Sequence, residues 1–106
     1  MVTEGFPLEK RIAHYSLNTI KELIAKKKYV VTLSARQSYT ALGFEDDEVL
    51  AVIDDLKAID LYKSMTSYNN HLLWHDVYHS SYNGIELYIK LQVKEDAIVI
   101  SFKERT

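Results

Sequence analysis

The chain has 106 residues, 47% hydrophobic and 26% charged, with a formal net charge of −2, as expected of one folded domain with a modest core rather than a disordered segment. It contains no cysteine, which excludes disulfides, thiolate metal sites and a thiol nucleophile and fits a reducing cytoplasm. The apolar runs are far shorter than a membrane span, and no cationic start leads into an apolar segment with a small-residue cleavage site, so neither a membrane anchor nor a signal peptide is expected.

Residues 1–8 include Gly5 and the one proline, Pro7, and read as a loose arm ahead of a single domain over 9–106. Ser16 is a predicted N-cap, followed by Leu17, Ile20, Leu23 and Ile24 at helical spacing and a lysine-rich last turn. Tyr29-Val30-Val31 is a short apolar run suited to an edge strand. Ser34-Ala35-Arg36-Gln37 has capping-box form and opens a short helix that stops at Gly43. Beyond Phe44, acids fill the first turn of a third helix whose apolar stripe is Val49, Val52, Ile53 and Leu56. Amphipathic stripes of this kind are core before they are binding faces.

Charge is unevenly spread. Lys10, Arg11, Lys21, Lys26, Lys27 and Lys28 face a single acid, Glu22, over 10–28, whereas Glu45, Asp46, Asp47, Glu48, Asp54 and Asp55 have no basic neighbour over 45–55. The plain reading of each cluster is a solvated helix face. The negative sum argues at first against a nucleic-acid partner, but an acidic cluster confined to one element need not oppose RNA bound elsewhere.

From Asp60 the pattern changes. Leu61–Tyr68, Leu72–His79, Glu86–Val93 and Ala97–Glu104 are rich in β-branched and aromatic residues, with turn candidates at Asn69-Asn70, Ser80 to Gly84 and Glu95-Asp96. Helices first and strands afterwards predict an α+β fold, N-terminal helices packed on a C-terminal antiparallel sheet.

Alternation then sorts the side chains. Leu87, Ile89, Leu91 and Val93 form one face of the third of these strands and leave Glu86, Tyr88, Lys90 and Gln92 on the other. In the fourth, Ile98, Ile100 and Phe102 oppose Val99, Ser101 and Lys103. A two-residue Glu95-Asp96 turn pairs Lys94 with Ala97 and sets Tyr88 across from Lys103. In the second strand, Trp74 and Tyr78 suit the core, which turns His75 and His79 to the open face. A three-residue loop, Asn69 to His71, pairs Lys63 with Val77 and Met65 with His75; a two-residue Asn-Asn turn would flip one strand. Lys63, His75, Tyr88 and Lys103 thus converge on one open face, with Lys90 and Ser101 beside them. Individually each is ordinary strand surface; their coincidence is the signal.

His75-Asp76-Val77-Tyr78-His79 also resembles a zinc-protease His-Glu-x-x-His site, extended by His71. That chemistry needs a helix, where residues four apart share a face. On a strand the two histidines stand about 13 Å apart, too far for one metal. No metal and no other cofactor is expected.

Tyr62-Lys63-Ser64-Met65-Thr66, Trp74-His75-Asp76-Val77-Tyr78 and Ile98-Val99-Ile100-Ser101-Phe102-Lys103 together resemble the motility quorum-sensing regulator (MqsR) toxins, with weaker similarity back to Glu9-Lys10-Arg11. The resemblance implies a RelE-like fold and a metal-independent endoribonuclease that cuts messenger RNA at GC-containing triplets. It further implies a type II toxin–antitoxin pair, whose MqsA-like partner is a zinc-containing, DNA-binding antitoxin. The family's implicated residues carry over at Lys63, Tyr88 and Lys103. At His75 the family has glutamine, which leaves the acid–base assignment open; a histidine can exchange a proton near neutral pH.

Cleavage without a metal needs a base for the ribose 2′-hydroxyl, an acid for the departing 5′-oxygen and cations at the phosphoryl oxygens. Lys63 and Lys103 are expected to bind the phosphate, and His75 and Tyr88 to handle protons. Tyr68 and Tyr82 are candidate stacking surfaces for bases. The alternatives are a non-catalytic RNA- or antitoxin-binding module with decayed nuclease activity, and a purely structural interaction domain.

Overall fold

The computed structural model describes residues 8–105; the arm expected over 1–8 therefore lies outside the described residues except for Leu8. The elements, in chain order, are β1 (Glu9–Lys10), α1 (Leu17–Ala25), β2 (Tyr29–Val31), α2 (Leu33–Ala41), α3 (Asp46–Asp54), a 3₁₀ turn (Ala58–Asp60), β3 (Leu61–Thr66), β4 (Trp74–Tyr82), β5 (Ile85–Lys94) and β6 (Ala97–Glu104). The fold is α+β: three helices and a six-stranded, mostly antiparallel sheet in the order β1-β3-β4-β5-β6-β2.

The helices begin and end for local reasons. Ser16 caps α1 by accepting from the Thr19 amide, and Lys27, at φ 61°, closes it. The lysines expected in the last turn follow the helix instead. The cap of α2 is Thr32, two residues before the expected Ser34: its Oγ1 accepts from the Ala35 amide at 3.1 Å. The shift arises because β2 pairs in parallel with β6 up to Thr32, whose amide donates to the Ile100 carbonyl at 3.2 Å, and the chain turns into helix there. Gly43, at φ 89°, ends that segment in the left-handed region, as a C′ glycine does. Three acids fill the first turn of α3, where Glu45 and Glu48 form a capping box.

One cluster joins helices to sheet. Ile20, Ala35, Tyr39, Val49, Val52, Ile53 and Leu56 pack with Tyr78, Leu87, Ile89, Leu91, Ile98, Ile100 and Phe102, all nearly inaccessible. The strand residues in that set occupy one face of β4, β5 and β6, so Tyr88, Lys90, Ser101 and Lys103 belong to the opposite face.

Two tight turns fix the register of that face. Asn83 and Gly84 have φ 51° and 82°, and Glu95 and Asp96 have φ 53° and 63°. Both are hairpin geometries that match the strand twist and favour glycine or asparagine. The second turn holds two side-chain-bearing residues in the left-handed region, a conformation costly for L-residues. Asp96→Gly is therefore expected to stabilise the fold by roughly 0.5–1 kcal/mol, read as a raised urea midpoint with an unchanged slope.

β1 was not anticipated. Glu9 and Lys10 pair antiparallel with Met65 and Ser64 of β3, and Leu8 extends the contact, its amide donating to Thr66 Oγ1 at 2.8 Å. What holds this segment is Asp76, completely buried on β4. Its two carboxylate oxygens accept from the His14 and Tyr15 amides at 2.9 and 2.8 Å. Around this anchor the His14 ring stacks on Trp74 at 5.1 Å, the Lys10 ammonium lies 4.3 Å from the Trp74 ring centroid, and the Tyr15 hydroxyl donates to the Trp74 carbonyl at 2.9 Å.

Candidate RNA-cleaving face

The open face is organised as cross-strand rows. Tyr88 is the direct partner of Lys103 on one side and of His79 on the other. In the next row Lys63, Val77, Lys90 and Ser101 stand side by side across β3, β4, β5 and β6. The Lys103 ammonium lies 5.0 Å from the Tyr88 ring centroid. Ser34, Ala35, Tyr88, Lys90, Ser101 and Lys103 line a cleft of about 270 Å³ with Phe102 at its floor. Tyr88, Lys103, Lys90 and Ser101 are thus brought together, with Lys63 two strands over in the Lys90–Ser101 row.

Lys63 is not an open cation. Its Nζ lies 2.8 Å from Glu9 Oε2, and its side chain is only 18% exposed. The Glu9 hydrogen bond raises the Lys63 pKa, and the reciprocal bond holds the Glu9 carboxyl below its ordinary range. Glu9 consequently stays ionised through neutral pH and keeps the pair closed. β1 is what delivers this carboxylate.

His75 is set apart. It pairs with Met65, and its Nε2 lies 2.9 Å from Ser67 Oγ. Four residues separate it from His79 on β4, or about 13 Å along an extended strand, so it does not reach the Tyr88 row. Burial, then the positive charge of Lys90, lowers its pKa, with Asp76 opposing. The strand geometry likewise rules out a helical zinc-protease arrangement for His75 and His79. Among the described residues no three His, Asp or Glu side chains gather as a metal-ion ligand set.

Tyr82 faces the wrong way for a base-stacking role. Its ring packs 5.3 Å from Phe44, and its hydroxyl donates to Glu48 Oε2 at 3.3 Å. The reason is period two: β4 continues to Tyr82 rather than ending at His79, and Tyr82 shares its face with buried Tyr78. Tyr68 is 67% exposed in the connection between β3 and β4, at the His75 end of the face.

Three side chains join the face unforeseen. A β-bulge between Leu61 and Lys63 shifts the β3 register, and Tyr62 lies parallel to His79, ring centroids 4.2 Å apart. The Arg11 guanidinium sits 5.5 Å from the Tyr62 ring and donates to the Tyr62 carbonyl at 3.0 Å. Arg105 pairs with Glu86 at 2.8 Å. The acids of α3, by contrast, engage the helical side: burial, and then Asp46, which accepts from the Tyr39 hydroxyl, push the Tyr39 pKa up to about 12. The α3 acids therefore lie away from the open face, on which Glu9 and Glu86 are each paired with a cation.

The family model described as "Motility quorum-sensing regulator, toxin of MqsA" matches residues 12–104. The chain belongs to this family. A curated relative, the mRNA interferase toxin MqsR of Escherichia coli (strain K12), is 37% identical over 98 residues, covering 92% of this chain and 100% of that protein. The matched region contains every strand of the open face except β1, together with Lys63, His75, His79, Tyr88 and Lys103. The family match thus covers β2 to β6 of the face but not Glu9, Arg11 or Arg105.

Proposed function

We propose that this chain is an mRNA interferase, a toxin that cleaves messenger RNA on the open face of its sheet. The supporting observation is the row that sets Tyr88 directly beside Lys103, in a chain similar over nearly its full length to a protein named for mRNA cleavage. A cognate MqsA-like, DNA-binding antitoxin is the expected protein partner, and the cytoplasm the expected site of action. Among the described residues no helix is long and apolar enough to cross a membrane. We read the architecture as RelE-like, with helices covering one face and RNA taking the other.

In this reading no metal takes part. The ribose 2′-hydroxyl attacks the adjacent phosphorus while Lys103 and Lys63 balance charge on the phosphoryl oxygens. Tyr88 donates its phenolic proton to the departing 5′-oxygen. Lys90 and Ser101 hold the neighbouring phosphate, and Tyr68 stacks on a base further along the strand. His75, remote from this row, meets a flanking nucleotide. A synthetic single-stranded RNA carrying GC-containing triplets, incubated in EDTA, tests the scheme. Cleavage by the wild type and its loss in Tyr88→Phe and Lys63→Ala are expected; a wild type inactive in EDTA, or fully active variants, would sink it.

The Glu9–Lys63 pair favours one alternative, a binding module without catalysis, because it neutralises a phosphate-binding cation. The two readings separate on Glu9→Gln. If phosphate must displace Glu9, this variant binds RNA roughly two- to five-fold more tightly, the size of an exposed ion pair, and cleaves faster at subsaturating RNA. A salt titration of binding gives the same comparison through its slope.

A further inference from the structure

The cleavage scheme lacks a base close to Tyr88, and His79 stands where one is needed. It is the direct cross-strand partner of Tyr88, with ring centroids 5.8 Å apart. Tyr62 lies parallel against its ring at 4.2 Å and 17°, an offset-stack distance that limits ring rotation. Tyr62, His79, Tyr88, Lys103, Glu104 and Arg105 line a cleft of about 370 Å³. Among the described residues neither ring nitrogen of His79 is engaged in a hydrogen bond, whereas His75 is bonded to Ser67. Of the two imidazoles on β4, only His79 has a ring nitrogen available beside the Tyr88–Lys103 pair.

We propose that His79 is the general base of RNA cleavage, a role that rests on the RNA-cleaving reading above. The imidazole takes the 2′-hydroxyl proton as the 2′-oxygen forms its bond to phosphorus. The bond from phosphorus to the 5′-oxygen breaks, and that oxygen leaves with the Tyr88 proton. The products are a 2′,3′-cyclic phosphate and a 5′-hydroxyl. The imidazolium returns its proton, through solvent, to the Tyr88 phenolate.

The electrostatic setting suits a base. His79 is faced by Tyr62 and Lys63 of β3, Glu86 and Tyr88 of β5, Lys103 and Glu104 of β6, and Arg105 just beyond. Burial first, and Arg105 second, push its pKa below the ordinary 6.5, with Glu86 opposing. The imidazole is thus neutral, and able to accept a proton, at pH 7. Activity that needs the neutral form falls as pH drops through that lowered value.

The test is single-turnover cleavage of the same RNA in EDTA between pH 5 and 8, with folding checked by circular dichroism. Wild type is expected to lose rate on the acid side below pH 6.5. His79→Gln is expected to be at least about 10²-fold slower, as for loss of a general base, and to lack that acid limb. Added imidazole is expected to restore part of the rate to His79→Ala, which a merely structural stack with Tyr62 would not allow. His79→Gln within threefold of wild type with the acid limb intact would overturn the assignment and leave the RNA-cleaving reading standing. A wild type that cleaves no RNA would overturn both.

Discussion

Replacing Lys103 with alanine is expected to slow RNA cleavage by at least about 10²-fold at saturating RNA, the cost of removing one preorganised charge at a developing oxyanion. The side chain is exposed near the end of β6, so nothing in the core depends on it. Its ammonium lies 5.0 Å from the Tyr88 ring centroid, close enough for one phosphate group to touch both residues. Unlike Lys63, it makes no ion pair among the described residues, so its charge is fully available to substrate. The loss should appear in the rate at saturation rather than in the unfolding midpoint. Lys103→Arg, which keeps the charge but changes the donor geometry, should fall between wild type and alanine. Single-turnover rates and urea midpoints on the same samples decide it. An alanine variant cleaving within threefold of wild type would remove Lys103 from the chemistry.

The largest effect on stability is expected at Asp76. This carboxylate is fully buried, and its only hydrogen-bond donors among the described residues are the His14 and Tyr15 amides. Asp76→Ala leaves both amides without their acceptor at a part-buried site. The penalty for unsatisfied buried donors, added to the loss of two charge-assisted bonds, comes to roughly 3–5 kcal/mol. Asp76→Asn should cost less but still substantially, because one of the two acceptor oxygens becomes an NH₂ group facing an N–H donor. Urea unfolding measures both. A midpoint within experimental scatter of wild type for Asp76→Ala would show that the segment over 9–15 is held by something else. Since Asp76 ties down the segment that carries Glu9 and Arg11, the same variant should also loosen the Glu9–Lys63 pair.

Much of the active face was legible from alternation. The pairing of Tyr88 with Lys103 follows from a two-residue turn at Glu95-Asp96 and holds in the structure. The pairing of Met65 with His75 also holds, although the connection spans 67–73 rather than Asn69 to His71. The edge strand at Tyr29–Val31 and the buried stripe Val49, Val52, Ile53 and Leu56 were equally readable. What alternation could not supply were contacts set by long-range geometry. Two residues are too few to show a strand pattern, so β1 and its Glu9 carboxylate were invisible. A bulge breaks the period-two rule, so Tyr62 was assigned to no face. Asp76 fell on the core side with Trp74 and Tyr78, but its partners lie 61 and 62 residues away.

His79 is different, because a signal for it existed. Asn-Gly is the strongest short hairpin turn, and a two-residue turn at Asn83-Gly84 pairs Tyr82 with Ile85 and therefore His79 with Tyr88. Treating Ser80 to Gly84 as one loop ended the strand at His79 and hid that register. With β4 running to Tyr82, period two turns that ring to the core side rather than toward RNA.

Cleavage on this face is expected to proceed through the RNA's own ribose 2′-hydroxyl. The direct measurement is mass spectrometry of the fragments produced in EDTA from a synthetic RNA and from the same strand carrying a single 2′-deoxyribose at the cleavage position. 2′,3′-cyclic phosphate and 5′-hydroxyl ends are expected from the RNA, with no cleavage at the deoxy position. Ends bearing a 3′-hydroxyl and a 5′-phosphate, or cutting at the deoxy position, would contradict it.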